Sequence, residues 1–262
     1  MFTNKMMKAF KAELAANGIT DNKLEALMAL ADRSWIEKSA AEWLTHVNGE
    51  ATNAPMQTTE SHEKAQAIMG RNFLGLEEVE KAFGVKYSTG DRAKLATIQF
   101  SDETLCASKD THVLVAGFRM SINDIRKNRN VKGNAAKLFF SAVGEGWYND
   151  EPFANASVEC RWFLLRKKPI DNSTSKTYEE QLQLIPRGEE NPWARDVVFA
   201  TIALFLTTGE RMFEKIYVRC KDVSSRGGRF GVGFFVRDGL DVYFGWDGCR
   251  DGGIGVGSVR NS

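Results

Sequence analysis

The last forty residues constrain the fold more than any other stretch, because they are built from a restricted alphabet. Lys, Glu, Gln and Met supply 51 of the first 222 residues and none of residues 223–262. Eleven of the 23 glycines fall between Gly227 and Gly257, interleaved with Phe230, Phe234, Phe235, Tyr243, Phe244 and Trp246, and the only charges are Arg and Asp. A soluble surface normally carries Lys and Glu, since long charged chains stay hydrated at little cost. Two explanations fit the composition. Recognition loops favour aromatics that offer large contact area with few torsions, and small residues that let the backbone approach. A β-rich end whose glycines mark turns and bulges has a similar make-up.

One regularity separates the two. Apart from Trp246, every residue from Val223 to Arg260 is of a type that some pyrimidine-ending codon specifies. That rule excludes Lys, Glu, Gln and Met together. It is the alphabet left when adenines in AAY codons are replaced at random, and a folding constraint has no reason to follow it.

The pattern Gly227, Arg229, Val232-Gly233, Phe235, Gly239-Leu240, Val242, Trp246, Arg250 and Gly255-Val256, closing with Arg260, resembles the variable proteins of diversity-generating retroelements. The upstream stretches WFLLRKKPIDNSTSKTYEEQ and LTTGERMFEKIYVRC look like the same frame, so the resemblance spans roughly residues 62–262. It implies a C-type lectin fold of the formylglycine-generating-enzyme type, with a variable C-terminal region over about 223–258. It also implies that Arg226, Phe230, Phe234, Val236, Arg237, Asp238, Asp241, Tyr243, Phe244, Gly245, Asp247, Gly248, Cys249 and Asp251 lie on or near one solvent-facing, ligand-binding surface, with Trp246 in the buried frame.

Bulk properties set outer limits. A hydrophobic share of 43% and a charged share of 26% are ordinary for a globular chain. The formal net charge of +1 argues against a dedicated nucleic-acid partner, which needs a basic face. The longest apolar run, Val197 to Leu206, is too short to span a membrane. The N-terminal MFTNKMMKAFKAE lacks the apolar core of a secretory signal, so folding in the cytoplasm is expected, with incorporation into a virus particle left open.

Periodicity divides the chain. Residues 4–48 read as a small helical unit (domain 1–48) that binds a partner or self-associates, and residues 49–61 (GEATNAPMQTTES) include a linker-like stretch before the main domain over 62–262. Helices are expected around Ala65, Ile68 and Met69, around Leu76, Val79 and Phe83 with Gly84 as a stop, and from capping boxes at Ser121/Asp124 and Thr177/Glu180. Asn191-Pro192 should start an apolar helix through Phe205 that stops at Gly209, the main scaffold against a sheet. LATIQF, THVLVAGF, ECRWFLLRK and KIYVRC read as strands, followed by three more around residues 229–235, 240–244 and 254–258. Along these last strands Val232, Leu240, Val242 and Val256 form the expected core row. The fold class is α+β.

Enzyme motifs are weak. GGIGVG at Gly252 to Gly257 has no helix after it to receive phosphates. His46, His62 and His112 are isolated, and Cys106, Cys160, Cys220 and Cys249 form no CxxC pair, which reads as free and mostly buried thiols. Asp238, Asp241, Asp247 and Asp251 cluster without EF-hand spacing, and EPF at Glu151 and WDG at Trp246 depart from calcium-lectin signatures, so no metal and no cofactor are expected. A cysteine-dependent oxidase using Cys220 and Cys249 is one alternative, and an invariant virion structural protein another. The expectation is a binding protein, not an enzyme, whose partner is a protein or other macromolecule.

Overall fold

The computed structural model describes residues 59–128, 138–139 and 147–262, within the compact unit Gln57–Ser262. The helical unit expected over residues 4–48, and the linker as far as residue 58, lie outside the described residues.

Helix α1, Glu60–Met69, begins inside the stretch read as linker: the Thr59 side chain accepts the His62 N–H and serves as N-cap. Strand β1 (Phe73–Leu74) leads into α2 (Leu76–Phe83), which ends as expected where Gly84 turns left-handed at φ 64°. Two short helices follow, α3 (Thr89–Lys94) and α4 (Asp102–Ser108), then strand β2 (His112–Ala116) and α5 (Ile122–Lys127), opened by the expected Ser121/Asp124 capping box. Helix α6 (Pro152–Asn155), strand β3 (Trp162–Arg166) and α7 (Tyr178–Leu182), with its Thr177/Glu180 box, precede the long helix α8 (Ala194–Thr208). The tail then supplies β4 (Tyr217–Val223), β5 (Arg229–Val236), β6 (Gly239–Gly245), β7 (Ile254–Val256) and β8 (Val259–Asn261).

LATIQF is not a strand; residues 95–100 form a bend and irregular chain. Its polar backbone is met by side chains instead of by a ladder. The Leu95 carbonyl accepts from Trp162 Nε1 at 2.9 Å and pairs with His62 Nε2 at 2.7 Å, the Ala96 carbonyl accepts from Thr59, and the Ile98 N–H donates to Ser61 Oγ. Leu95 and Ile98 are buried, so the β-like apolar pattern marks anchoring, not pairing.

Two four-stranded sheets result, ordered β1-β2-β3-β8 and β6-β5-β4-β7. The first is antiparallel except for β1 beside β2, and the second antiparallel except for β7 beside β4. This is an α+β architecture. Helix α8 contacts β2 of the first sheet and β4 and β5 of the second, and Val197, Val198, Phe199, Ile202 and Leu204 are wholly buried along it. Each such side chain contributes about 1.5–3 kcal/mol relative to exposure, so the helix needs no polar stripe. It stops where expected, at left-handed Gly209, but it starts after Asn191-Pro192. Asn191 is spent elsewhere, donating from Nδ2 to the carbonyls of Arg219 and Gly257. The first helical N–H, that of Ala194, is capped from across the fold by Asp222 Oδ2 at 2.6 Å.

Candidate functional site

Side chains alternate across a sheet, and the second sheet uses this to separate two rows. Val218, Val232 and Val242 stand opposite one another and are buried with Leu240, as the core row requires; Val256 is buried too, but in register with Arg219 on the other row. The intervening positions pair Tyr217 with Gly233 and Asp241, and Arg219 with Gly231 and Tyr243. The two glycines leave the centre of this outward face bare, so the rings of Tyr217 and Tyr243 meet over β5, their centroids 5.2 Å apart. Gly233 admits no side chain: a Cβ there would stand 2.1 Å from the Ile216 carbonyl oxygen. The Tyr217 hydroxyl donates to Asp241 Oδ2 at 2.7 Å; burial and that carboxylate push the phenol pKa upward.

Regular alternation would turn Phe230, Val232 and Phe234 to one side. It breaks at a bulge between Gly233 and Val236, where Phe234 adopts φ 50° and its N–H donates to Ile216 O. Phe234 then faces outward, 45% exposed and stacked on Tyr217 at 5.5 Å, while Phe235 turns inward against Phe205. A bulky residue in the left-handed region is strained, and such strain collects at ligand-contacting sites.

The large apolar side chains left exposed among the described residues are Trp147, Val223, Phe234, Tyr243 and Trp246. Four lie in the tail, and the fifth, Trp147, packs on its Phe230 and Phe244. Phe244 in turn meets Trp246 edge-on at 5.6 Å. Phe244 pairs with buried Phe230, so this aromatic edge lies on the side of β6 opposite Tyr243.

The loops between strands are fixed from beneath. Arg219, buried to 2% exposure, donates to the carbonyls of Lys176, Trp246 and Cys249 and to Gln181 Oε1. These acceptors carry no formal charge, and burial lowers the Arg219 pKa from its ordinary value. Arg229 lies on the Tyr178 ring and grips Asp247 with two nitrogens, at 3.2 and 3.0 Å. Arg250 donates to Glu180, and chiefly through that bond holds the Glu180 carboxyl down at about 2. Asp251 accepts the Gly253 N–H, and Glu151 accepts from the Ser225 N–H and hydroxyl.

Of the residues expected on the surface, Arg226, Phe234, Arg237, Asp238, Tyr243, Gly248 and Asp251 are exposed, and Val236, Asp241, Phe244, Asp247 and Cys249 half-buried. Two are corrected. Phe230 is wholly buried, its ring 3.8 Å from that of Phe153, because it precedes the bulge and stays on the inward row. Gly245 is buried under Tyr243, where a Cβ would come within 2.9 Å of the ring. Trp246 is corrected in the opposite sense: it is 61% exposed, not part of the frame. Tyr243 and Phe244, as neighbours on one strand, lie on opposite faces.

Residue-type reasoning missed Tyr217, Trp147 and Arg219. Tyr217 and Arg219 flank Val218 in KIYVRC, so alternation about that buried valine is the signal that finds them; Trp147 has no local signal. Asp241, Asp247 and Asp251 serve different partners, and among the described residues no group of three or more His, Cys, Asp and Glu side chains converges on a metal-sized space. All four thiols are free, but only Cys220 is buried and Cys106 is exposed, against the expectation of mostly buried thiols. Burial pushes the Cys220 pKa well up. No family model matches this sequence, and no curated protein or solved structure matches it either.

Proposed function

We propose that the second sheet and its loops form the target-recognition surface of a C-type lectin-like domain, diversified by a retroelement, whose partner is a protein or other macromolecule. The observation that carries this reading is the concentration of exposed aromatic surface: three of the four large exposed rings fall in the stretch with the restricted alphabet, and the fourth, Trp147, packs against it. Exposed apolar patches rimmed by polar groups mark interaction sites. Phe234, Tyr243 and Trp246 would act as anchors, while Arg226, Arg237 and Asp238 supply directional bonds and steering. The outward sheet face is open, which suits a macromolecule better than a small substrate.

Two further features support this reading over cysteine chemistry. Cys220 is buried with its thiol pKa raised, the reverse of what a thiolate nucleophile requires. The loops are held largely by fixed partners such as Arg219 and Glu151, so exchange of exposed side chains leaves the backbone supported.

Reading the DNA that flanks the coding sequence tests the proposal. The expected finding is a reverse-transcriptase gene and a near-copy of the C-terminal segment that differs at adenines; absence of both rejects diversification. Recognition itself is tested with Tyr243→Ala combined with Trp246→Ala. Because both rings are exposed, the thermal midpoint should move little, within about 1 kcal/mol of stability, while capture of the partner is lost. A collapse of the cooperative melt in this double variant would reassign the rings to the core.

A further inference from the structure

The segments 166–174 and 210–216, with Asp110 and Thr111, line a groove of about 930 Å³. Several of its charged side chains are already matched. Lys167 Nζ reaches Glu210 Oε1 at 2.9 Å, and Arg166 stands 3.7 Å from Asp171.

Arg211 is not matched. Its guanidinium lies 4.5 Å from the Phe205 ring centroid and 5.3 Å from that of Phe235. Its buried Nε has no hydrogen-bond partner, and among the described residues no carboxylate pairs with it. A guanidinium laid on aromatic rings is oriented before any ligand arrives, and its planar fork fits two oxygens of one oxyanion. The other unpaired charges on the groove offset one another: Lys168 and Lys215 against Asp110 and Glu214, all exposed. Arg211 is thus the uncompensated charge.

Backbone geometry adds an independent observation. Asn172 and Phe213, one on each wall, have φ 60° and 53°. Asparagine adopts this conformation readily, but an aromatic residue such as Phe213 keeps it only where the surroundings impose it, and such sites cluster at ligand clamps. The volume falls within the range of small-molecule pockets, roughly 300–1,000 Å³.

We propose that this groove binds a small organic anion, its carboxylate or phosphate held by the fork of Arg211 with Lys168 and Lys215 alongside. The inference stands apart from the aromatic recognition surface and does not depend on it.

The test is a nitrogen–proton NMR titration of the full chain with inorganic phosphate and, separately, succinate, each against sodium chloride at matched ionic strength. Saturable shifts at residues 166–174 and 210–216 and at the Arg211 side-chain N–H are expected with one or both anions, and the responding anion identifies the group. Arg211→Gln should weaken binding about tenfold or more, and Arg211→Lys, which keeps the charge without the fork, by less. No saturable shift with either anion, shifts that sodium chloride reproduces, or unchanged affinity in Arg211→Gln would each overturn the proposal. If Arg211→Gln loses its folded spectrum, Lys168→Gln with Lys215→Gln decides: weaker binding supports the site, and unchanged affinity removes it.

Discussion

Phe234 joins two properties that proteins normally keep apart, a left-handed backbone and a large exposed ring. The backbone is imposed by Gly233, whose missing side chain lets β5 press against Ile216, and by the Phe234 N–H bond to Ile216 O. Ring and backbone can be separated by substitution. Phe234→Ala removes the stack on Tyr217 but keeps the steric penalty of a Cβ, whereas Phe234→Gly removes both. Urea denaturation should therefore find the glycine variant more stable than the alanine variant by about 1 kcal/mol; the opposite order would mean that the position is not held left-handed. The same bulge explains what was legible at this scale. A period of two would put Phe230 and Phe234 on one side, and the bulge, which depends on contact with the Ile216 backbone, parts them. The sequence frame places Trp246 inside; Arg219 instead holds its backbone carbonyl, and its ring lies exposed at the edge of Phe244.

Helix α8 shows how far local signals reach at the scale of an element. Its apolar length and its glycine stop are properties of neighbouring residues and were readable, as were the two capping boxes, whose partners lie three residues apart. Its true cap was not readable, because Asp222 arrives from β4 and meets the helix only in the folded chain. This cap carries a pH signature. Burial holds the Asp222 carboxyl above its ordinary range, outweighing the opposing effects of the Ala194 N–H and Arg195. The folded chain therefore binds this proton more tightly than the unfolded chain. The contribution is favourable below the ordinary carboxyl pKa of about 3.9 and is lost as pH rises through the higher folded value. Asp222→Asn keeps an oxygen for the Ala194 N–H and never ionises. Relative to the native chain it should gain stability as pH rises above about 4, and parallel curves of urea midpoint against pH would show that Asp222 titrates alike in both states. LATIQF teaches the converse lesson: its apolar pattern was legible, but the side chains of His62 and Trp162 that take the Leu95 carbonyl come from other parts of the chain.

Across the whole domain, the final strands close the structure. Strand β7 pairs with β4 in the second sheet and β8 with β3 in the first, and only Gly257 and Ser258 separate them. This switch between sheets was not legible, since the last strand was read as a single run through Ser258. The junction is bonded on both sides: Gly257 N–H donates to Arg219 O, and Ser258 O accepts from Arg166 N–H. Val259 then exchanges two backbone bonds with Glu190 and is 1% exposed. Such a seam couples the outward aromatic face to the sheet behind it, and α8 between them reinforces the coupling. Val259→Pro tests this, because it removes the N–H that reaches Glu190 and disturbs a buried side chain, a loss of about 2–4 kcal/mol. Hydrogen exchange at β2 and β3 reports the first sheet, and near-ultraviolet dichroism of the tail aromatics reports the second. Both should lose stability together in one transition. A variant whose first sheet loosens while the aromatic signal keeps its native midpoint would show that the outward aromatic face stands without the sheet behind it.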